Sequence, residues 1–293
     1  HRSGCYCLNL YGGWPISGLV TATRDALYRA TRDFMARDYA QDVADLNELI
    51  RKERSLSANL RPEMPPIPFT GDPFKKKKGD CVLLFGINPK WHDIGTDQYE
   101  KEFAESRALI DSFHDGNAEA FYKYLDLRRN YFCSGMKYGR HFTFLENRFR
   151  ENWYSVDVPW EMHVQSMDCI PWFSTNTNDI DIEKVIFQFT RHPAFIAYIE
   201  VIKAMIDHLE PNWIHLNGKM GRLIFEGVFG KSEFDPMFGM DLKKGVRVGH
   251  CEIGDWEIPV LSHNFASRSS SPNTIEDWRM MASIWNDWLG LQE

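Results

Sequence analysis

The sequence predicts an α/β fold: a three-layer α/β/α domain around a central four-stranded, mostly parallel sheet, with a helical N-terminal extension. The main observation is that four short apolar runs without alternation are spaced widely along the chain, which is typical of strands buried on both faces. Helical patterns separate the runs, as in folds with helices on both sides of a parallel sheet. The runs are 81–87, 167–173, 213–217 and 258–263.

The first 79 residues are predicted to form the extension, and residues 80–293 the α/β/α domain. Between residues 21 and 53, apolar side chains recur at helical spacing and predict one or two helices. A stretch rich in proline and lysine follows at 60–80 and indicates an extended connection. Within the domain, the apolar pattern predicts a helix that Pro211 ends, and Thr274 is a predicted cap of the last helix.

Composition excludes several classes of protein. Of the 293 residues, 43% are hydrophobic and 26% charged, which is unlike disordered, collagen-like or coiled-coil chains. The sequence has no run of about 18 apolar residues, so we expect no membrane-spanning helix and a cytoplasmic location. No CxxC spacing or familiar nucleotide-binding or hydrolase signature occurs. We therefore expect neither a metal nor a cofactor.

Charge leaves a nucleic-acid partner open. The net charge of −7 disfavours general binding of polyanions but does not exclude a local basic patch. Residues 121–150 contain seven Lys or Arg against two acidic residues, and nine aromatic side chains lie among them. Basic and aromatic residues together are typical of nucleic-acid contact, although aromatic residues at helical spacing are also typical of a core.

Polar residues lie in or directly after each of the four predicted strands. They are the segment Gly86-Ile87-Asn88-Pro89-Lys90, then Asp168, then Asn217 with Lys219, and finally His263 with Asn264. The carboxyl ends of the strands in such a sheet form its ligand crevice. We therefore expect these side chains to surround one site.

The motifs after the first and last strands resemble those of the uracil-DNA glycosylase superfamily. Branches of that family carry Gly-aliphatic-Asn-Pro-Gly after the first strand, which is Gly86-Ile87-Asn88-Pro89-Lys90 here. The family's last motif is a histidine before a Ser/Pro-rich loop and a helix, and residues 262–272 (SHNFASRSSSP) have this character. Its single-strand-selective branch carries Asn-x-x-Pro on the second strand, where this chain has Asp168-Cys169-Ile170-Pro171. The resemblance extends from about residue 80 to the last helix.

The resemblance implies a DNA glycosylase, which hydrolyses the N-glycosidic bond of a modified or mispaired base in single- or double-stranded DNA. By the same resemblance, Asn88 would position water and His263 would donate a hydrogen bond to the departing base. Asp168, Phe103 and Tyr99 are the predicted base-recognition residues. The other expected pocket and nucleic-acid contacts are Gly86, Pro89, Lys90, Trp91, Asn217, Lys219, Asn264, Ser267, Arg268 and Ser269.

Two departures from the family pattern bear on the substrate. Lys90 replaces a glycine, and Asp168 replaces the asparagine that reads uracil. An ionised carboxylate only accepts hydrogen bonds, so Asp168 favours a base edge rich in N–H groups, such as a guanine-like or protonated cytosine-like edge. Two other interpretations stay open: a binding protein that has lost catalysis, and an enzyme acting on nucleosides or nucleotides. For His263, the structural alternative is a buried histidine with satisfied hydrogen bonds.

Overall fold

The structure is a computed structural model that describes residues 18–90, 97–132, 139–154, 157–266 and 271–290. Its strands are β1 (Val82–Gly86), β2 (Val164–Asp168), β3 (Trp213–Asn217), β4 (Asp235–Pro236), β5 (Arg247–Ile253) and β6 (Trp256–His263). Its helices are α1 (Gly18–Met35), α2 (Tyr39–Leu49), α3 (Asp97–His114), α4 (Ala118–Arg129), α5 (Gly139–Asn152), α6 (Ile182–Phe189), α7 (Pro193–Leu209), α8 (Lys219–Val228) and α9 (Ile275–Gly290). None of these helices combines the length and the apolar character needed to cross a membrane.

The six strands form one sheet in the order β2-β1-β3-β6-β5-β4. The strands β2, β1, β3 and β6 are parallel to one another. β5 pairs with β6 and β4 pairs with β5, and both of these pairs are antiparallel. The predicted α/β class and mostly parallel sheet are confirmed. The prediction of four strands is wrong. β5 forms a hairpin with β6, and its partly exposed residues break the continuous apolar run by which the other strands were predicted.

The second strand lies earlier in the chain than predicted, at Val164–Asp168 rather than 167–173. Its residues Gln165 and Ser166 are polar, so this stretch gives no continuous apolar run. At this edge of the sheet the backbone of Thr70 pairs with Ser166. Residues 169–174 leave the strand but stay beside the segment after β1. The Cys169 amide donates to the Gly86 carbonyl, and the Ser174 amide donates to the Pro89 carbonyl.

Helices cover both faces of the sheet. Side chains of successive strand residues alternate between the faces, so each strand contributes to a core on either side. Leu83 and Phe85 of β1 face one core, which they share with residues of α1, α7 and α8. Val82 and Leu84 face a second core, which includes Phe149 of α5 and Trp278 of α9. We call the second side the α5/α9 face. The predicted cap of α9 is present, since the Asp277 amide donates to Thr274 Oγ1 over 3.1 Å.

The described residues before position 80 pack onto the sheet domain. The helix α1 lies along α7, and its Leu27 and Phe34 belong to the same core as Phe85. The proline-rich stretch runs beside β2, where Gln165 Nε2 donates to the Thr70 carbonyl over 2.9 Å. The division into two parts after residue 79 stays a prediction, and the described residues on both sides of it share one core.

Candidate functional site

A cavity of about 440 Å³ lies at the carboxyl ends of β1, β2 and β3. This volume falls within the range of about 300 to 1,000 Å³ that is typical of small-molecule sites. Its lining includes the segment after β1, from Gly86 to Lys90, together with Asp168 and Asn217. The structure therefore brings together residues from three of the four strand ends that the sequence singled out.

The register of the sheet explains why these residues meet. Asp168 is the partner of Gly86, and Asn217 is the partner of His263. Gly86 is also level with Asn217, because the preceding residues Phe85 and Leu216 are partners. Side chains at the same level of adjacent parallel strands point to the same face. Asp168, Gly86, Asn217 and His263 thus form one row across the α5/α9 face, which we call the strand-end row.

The Asp168 carboxyl group lies against Gly86, where a β-carbon would collide with Asp168 Oδ1. The strand end itself is fixed, since the Tyr198 hydroxyl donates to the Asp168 carbonyl oxygen over 2.6 Å. Among the described residues, however, the carboxyl group has no hydrogen-bond or ion-pair partner. Burial without a compensating charge raises the pKa of Asp168 to about 7. Both protonation states are therefore accessible at neutral pH.

Asn88 presents its amide oxygen as an acceptor. Its Nδ2 donates to Ser174 Oγ over 2.6 Å and to the Trp172 carbonyl over 3.3 Å. A carbonyl only accepts hydrogen bonds, so these contacts fix which end of the amide is Nδ2. The Oδ1 of Asn88 is left without a partner in the described part of the chain, on a residue that lines the cavity.

Asn217 presents the complementary group. Its Oδ1 accepts from the Ala266 amide over 2.8 Å, which fixes the orientation of the side chain. Its Nδ2 is buried and has no partner within the described residues, and the residue is only 1% exposed. An unsatisfied buried donor costs about 1 to 3 kcal/mol, and a ligand acceptor in the cavity would remove that cost.

Aromatic side chains form much of the remaining wall. They are Phe103, Tyr131, Phe142, Phe173 and Phe265. The rings of Phe103 and Phe173 meet edge to face with centroids 5.2 Å apart, and Phe265 is 43% exposed. Sequence reasoning chose Phe103 but missed the other four. Phe265 lies two residues after His263, and Tyr131 and Phe142 belong to the basic and aromatic segment, so signals for these three were present.

His263 belongs to the strand-end row but does not line the cavity. Its Nδ1 lies 2.7 Å from the Asn264 carbonyl and its Nε2 lies 2.7 Å from Nε2 of His215. Because the carbonyl only accepts, Nδ1 carries the hydrogen of a neutral ring and Nε2 accepts from His215. Burial lowers the pKa of His263 to about 4 and also lowers that of His215, so both rings are neutral. This geometry is that of a buried histidine with satisfied hydrogen bonds. The hydrogen bond from His263 to a departing base stays a prediction, and these contacts do not support it.

Other predicted residues lie away from the cavity or outside the described part. Lys219 is exposed at the first position of α8. Asn264 Nδ2 donates to the Lys243 carbonyl over 2.8 Å and so holds a neighbouring loop. Tyr99 lies in α3, but its side chain is outside the described residues. Four further predicted contacts fall there as well: Trp91, Ser267, Arg268 and Ser269.

The basic segment at 121–150 uses much of its described charge internally. Arg129 pairs with Asp72 over 3.0 Å, and Arg148 pairs with Glu151 over 2.7 Å. Arg128 is buried. These guanidinium groups stabilise the fold and are less available to phosphates. The described lining of the cavity contains one cation, Lys90, which is exposed.

Within the described residues, no group of three His, Cys, Asp or Glu side chains is arranged to hold a metal ion. On the described residues that line the cavity, three polar groups have no partner in the described part of the chain: the Asn88 amide oxygen, the Asp168 carboxyl group and the Asn217 amide nitrogen. In comparisons with known proteins, no family model matches the chain and no curated protein sequence matches it.

Proposed function

We propose that the protein is a DNA-glycosylase-type enzyme with a uracil-DNA-glycosylase-like fold, which hydrolyses the N-glycosidic bond of a modified or mispaired base in nucleic acid. One observation carries the proposal: Asn88 Oδ1, the Asp168 carboxyl group and Asn217 Nδ2 all lack partners among the described residues, and all three residues line the same aromatic cavity. Aromatic walls suit a planar base, and a few polar groups suit its edge.

The polar groups divide into two tasks. In the reaction, water adds to C1′ of the sugar, the bond from C1′ to the base nitrogen breaks, and the base leaves with the electron pair while the water proton passes to solvent. Asn88 Oδ1 would orient the water, as the family resemblance implies. Asn217 Nδ2 would stabilise charge on the departing base, a task that the family resemblance implies for its neighbour His263. Asp168 would bind the base edge.

In this assignment the residue that would hold the water, Asn88, is an amide and not a general base, and the one carboxyl group in the described lining of the cavity, that of Asp168, is assigned to the base edge. Water must therefore be activated by orientation, and we expect slow turnover on bases that leave readily. The same feature favours a second candidate, a protein that binds a nucleobase or nucleotide and does not cleave it. His263 does not line the cavity and has both ring nitrogens hydrogen-bonded, which also favours this candidate.

Base release from oligonucleotides tests the proposal. End-labelled single- and double-stranded oligonucleotides carrying uracil, hypoxanthine, xanthine, 7-methylguanine or a mismatch are incubated with excess protein and cleaved with alkali at abasic sites. We expect release from at least one substrate. Asn88→Ala should slow it by about 10- to 100-fold, since an oriented water is lost.

Asn212→Ala is the matched control, because Asn212 is exposed just before β3, at the edge of the sheet opposite the cavity. It should release base at the wild-type rate. Thermal unfolding of each variant separates lost chemistry from lost folding, since Asn88 Nδ2 also holds the neighbouring loop. If folded wild-type protein releases no base from any substrate, the glycosylase proposal is wrong and the binding protein replaces it.

A further inference from the structure

The groups of Asp168 and Asn217 that lack partners among the described residues form an ordered pattern along the strand-end row. Asp168 contributes two acceptor oxygens on β2, and Asn217 contributes a donor on β3. Between them lies β1, whose residue at this level is Gly86. With strands about 4.8 Å apart, the two backbones are about 10 Å apart, and the two side chains lie on the same face of the sheet, one on each side of Gly86.

We propose that this part of the cavity recognises a guanine-type base, whose edge carries two adjacent N–H donors beside a carbonyl oxygen. The inference rests on the proposed function and names the class of base at its site. The ring N–H and the exocyclic amino group of such a base would both donate to the Asp168 carboxylate, and its carbonyl would accept from Asn217 Nδ2. Bidentate, charge-assisted hydrogen bonds of this kind are among the strongest in proteins.

The pattern disfavours other bases. The edge of uracil places a carbonyl on each side of its one N–H group, so a carbonyl oxygen would meet the carboxylate of Asp168. Hypoxanthine keeps the ring N–H and the carbonyl but lacks the amino group, and it would leave one carboxylate oxygen unpaired. Loss of one hydrogen bond to a charged group corresponds to a reduction in affinity of about tenfold or more.

Gly86 makes the recognition possible. A β-carbon at this position would collide with Asp168 Oδ1, so any other residue would displace the carboxyl group. The backbone of Gly86 has no left-handed conformation that would itself require glycine. Glycine is therefore needed at position 86 because it leaves space for the Asp168 carboxyl group.

Binding of nucleosides tests the inference without requiring catalysis. Guanosine, inosine and uridine are titrated into the protein by calorimetry at pH 8, where the Asp168 carboxyl group is mostly ionised because its pKa is about 7. We expect guanosine to bind at least tenfold more tightly than inosine, and uridine to bind most weakly. Asp168→Asn should abolish the preference for guanosine over inosine. The matched control is Asp255→Asn, at an exposed turn between β5 and β6.

Asn217→Asp provides a second, independent variant. It keeps the oxygen that accepts from Ala266 but replaces the Nδ2 donor with an acceptor, so it should weaken guanosine binding by at least tenfold. Thermal unfolding verifies that each variant is folded. Equal or tighter binding of inosine or uridine to the wild type, retention of the preference by Asp168→Asn, or absence of binding by all three nucleosides would overturn the inference.

Failure of this inference is distinguishable from failure of the proposed function. A protein that releases uracil or hypoxanthine from oligonucleotides but binds guanosine no better than inosine is a glycosylase with a different base preference. A protein that prefers guanosine but releases no base keeps the recognition and lacks the reaction.

Discussion

The two ends of the strand-end row differ in what their polar groups contact. At the cavity end, which comprises Asp168, Gly86 and Asn217, a carboxyl group and an amide nitrogen have no partner in the part of the chain that the structure describes. At the closed end, His263 has both ring nitrogens hydrogen-bonded and packs against Trp278 at 5.2 Å between ring centroids. A polar residue at a strand end is therefore a stronger candidate for a site when its hydrogen-bonding groups lack partners.

The largest expected effect concerns the closed end and is on stability. His263→Ala removes a buried ring and leaves the His215 Nε2–H and the Asn264 carbonyl unpaired. We expect the free energy of unfolding to fall by about 3 to 5 kcal/mol, measured by urea denaturation. Guanosine affinity of the folded protein should change by less than about threefold, because His263 does not line the cavity.

His250→Ala is the control for this variant, since His250 is only partly buried and contacts the Trp288 ring. It should cost about 1 kcal/mol or less. Normal stability of His263→Ala together with loss of base binding would reverse the assignment of the two ends.

The second effect concerns the cavity end and depends on pH. Burial raises the pKa of Asp168 from 3.8 to about 7, so the folded state binds this proton more tightly than the unfolded state. The stabilising contribution is therefore complete below about pH 4 and is lost as pH rises towards 7. Asp168→Asn lacks this titration. The free energy of unfolding of Asp168→Asn, relative to that of the wild type, should increase by about 2 to 4 kcal/mol between pH 4 and pH 8.

Urea denaturation at a series of pH values measures this difference, and other titrating groups largely cancel in it. Tyr198 and Cys169 lie beside Asp168, and burial raises the pKa of each well above its ordinary value, so neither should titrate in this window. Asp255→Asn again provides the control. A difference that does not change with pH would show that the Asp168 carboxyl group is better solvated than its surroundings indicate.

The third prediction tests the contact between Asp168 and Gly86. Gly86→Ala places a methyl group where Asp168 Oδ1 lies, so the carboxyl group must move. We expect guanosine affinity to fall by at least about tenfold, with a loss of stability of about 1 to 3 kcal/mol from overpacking. Gly290→Ala, at the end of α9 in open space, is the matched control. Unchanged guanosine affinity in Gly86→Ala would separate the Asp168 carboxyl group from base binding.

The smallest expected effect concerns the aromatic wall. Phe265→Ala should weaken guanosine binding by about three- to fivefold, through loss of ring contact, and should change stability little because Phe265 is 43% exposed. Phe238→Ala is the control, since Phe238 is 95% exposed and is not part of the cavity lining. An equal effect of the two variants on calorimetric affinity would indicate that Phe265 does not touch the base.

The sequence predicted β1, β3 and β6 because each is buried on both faces and gives a short, mostly apolar run. It misplaced β2, in which Gln165 and Ser166 are polar. It missed β5, whose exposed positions interrupt the run. It also predicted that Asn88, Asp168 and Asn217 would meet, since each lies in or directly after a predicted strand that borders one crevice. For His263 the sequence left two roles open, contact with the departing base and a buried histidine, because the choice depends on His215 and Trp278, which become its neighbours only on folding.

The most direct test of the central proposal is a crystal structure of the protein with guanosine bound at pH 8. The strand-end row predicts the base in the cavity, with its N–H edge on the Asp168 carboxylate and its carbonyl on Asn217 Nδ2. His263 should stay bonded to His215 and Asn264. An empty cavity at saturating guanosine, or a base held by His263 instead of Asp168, would contradict the proposed division of the row.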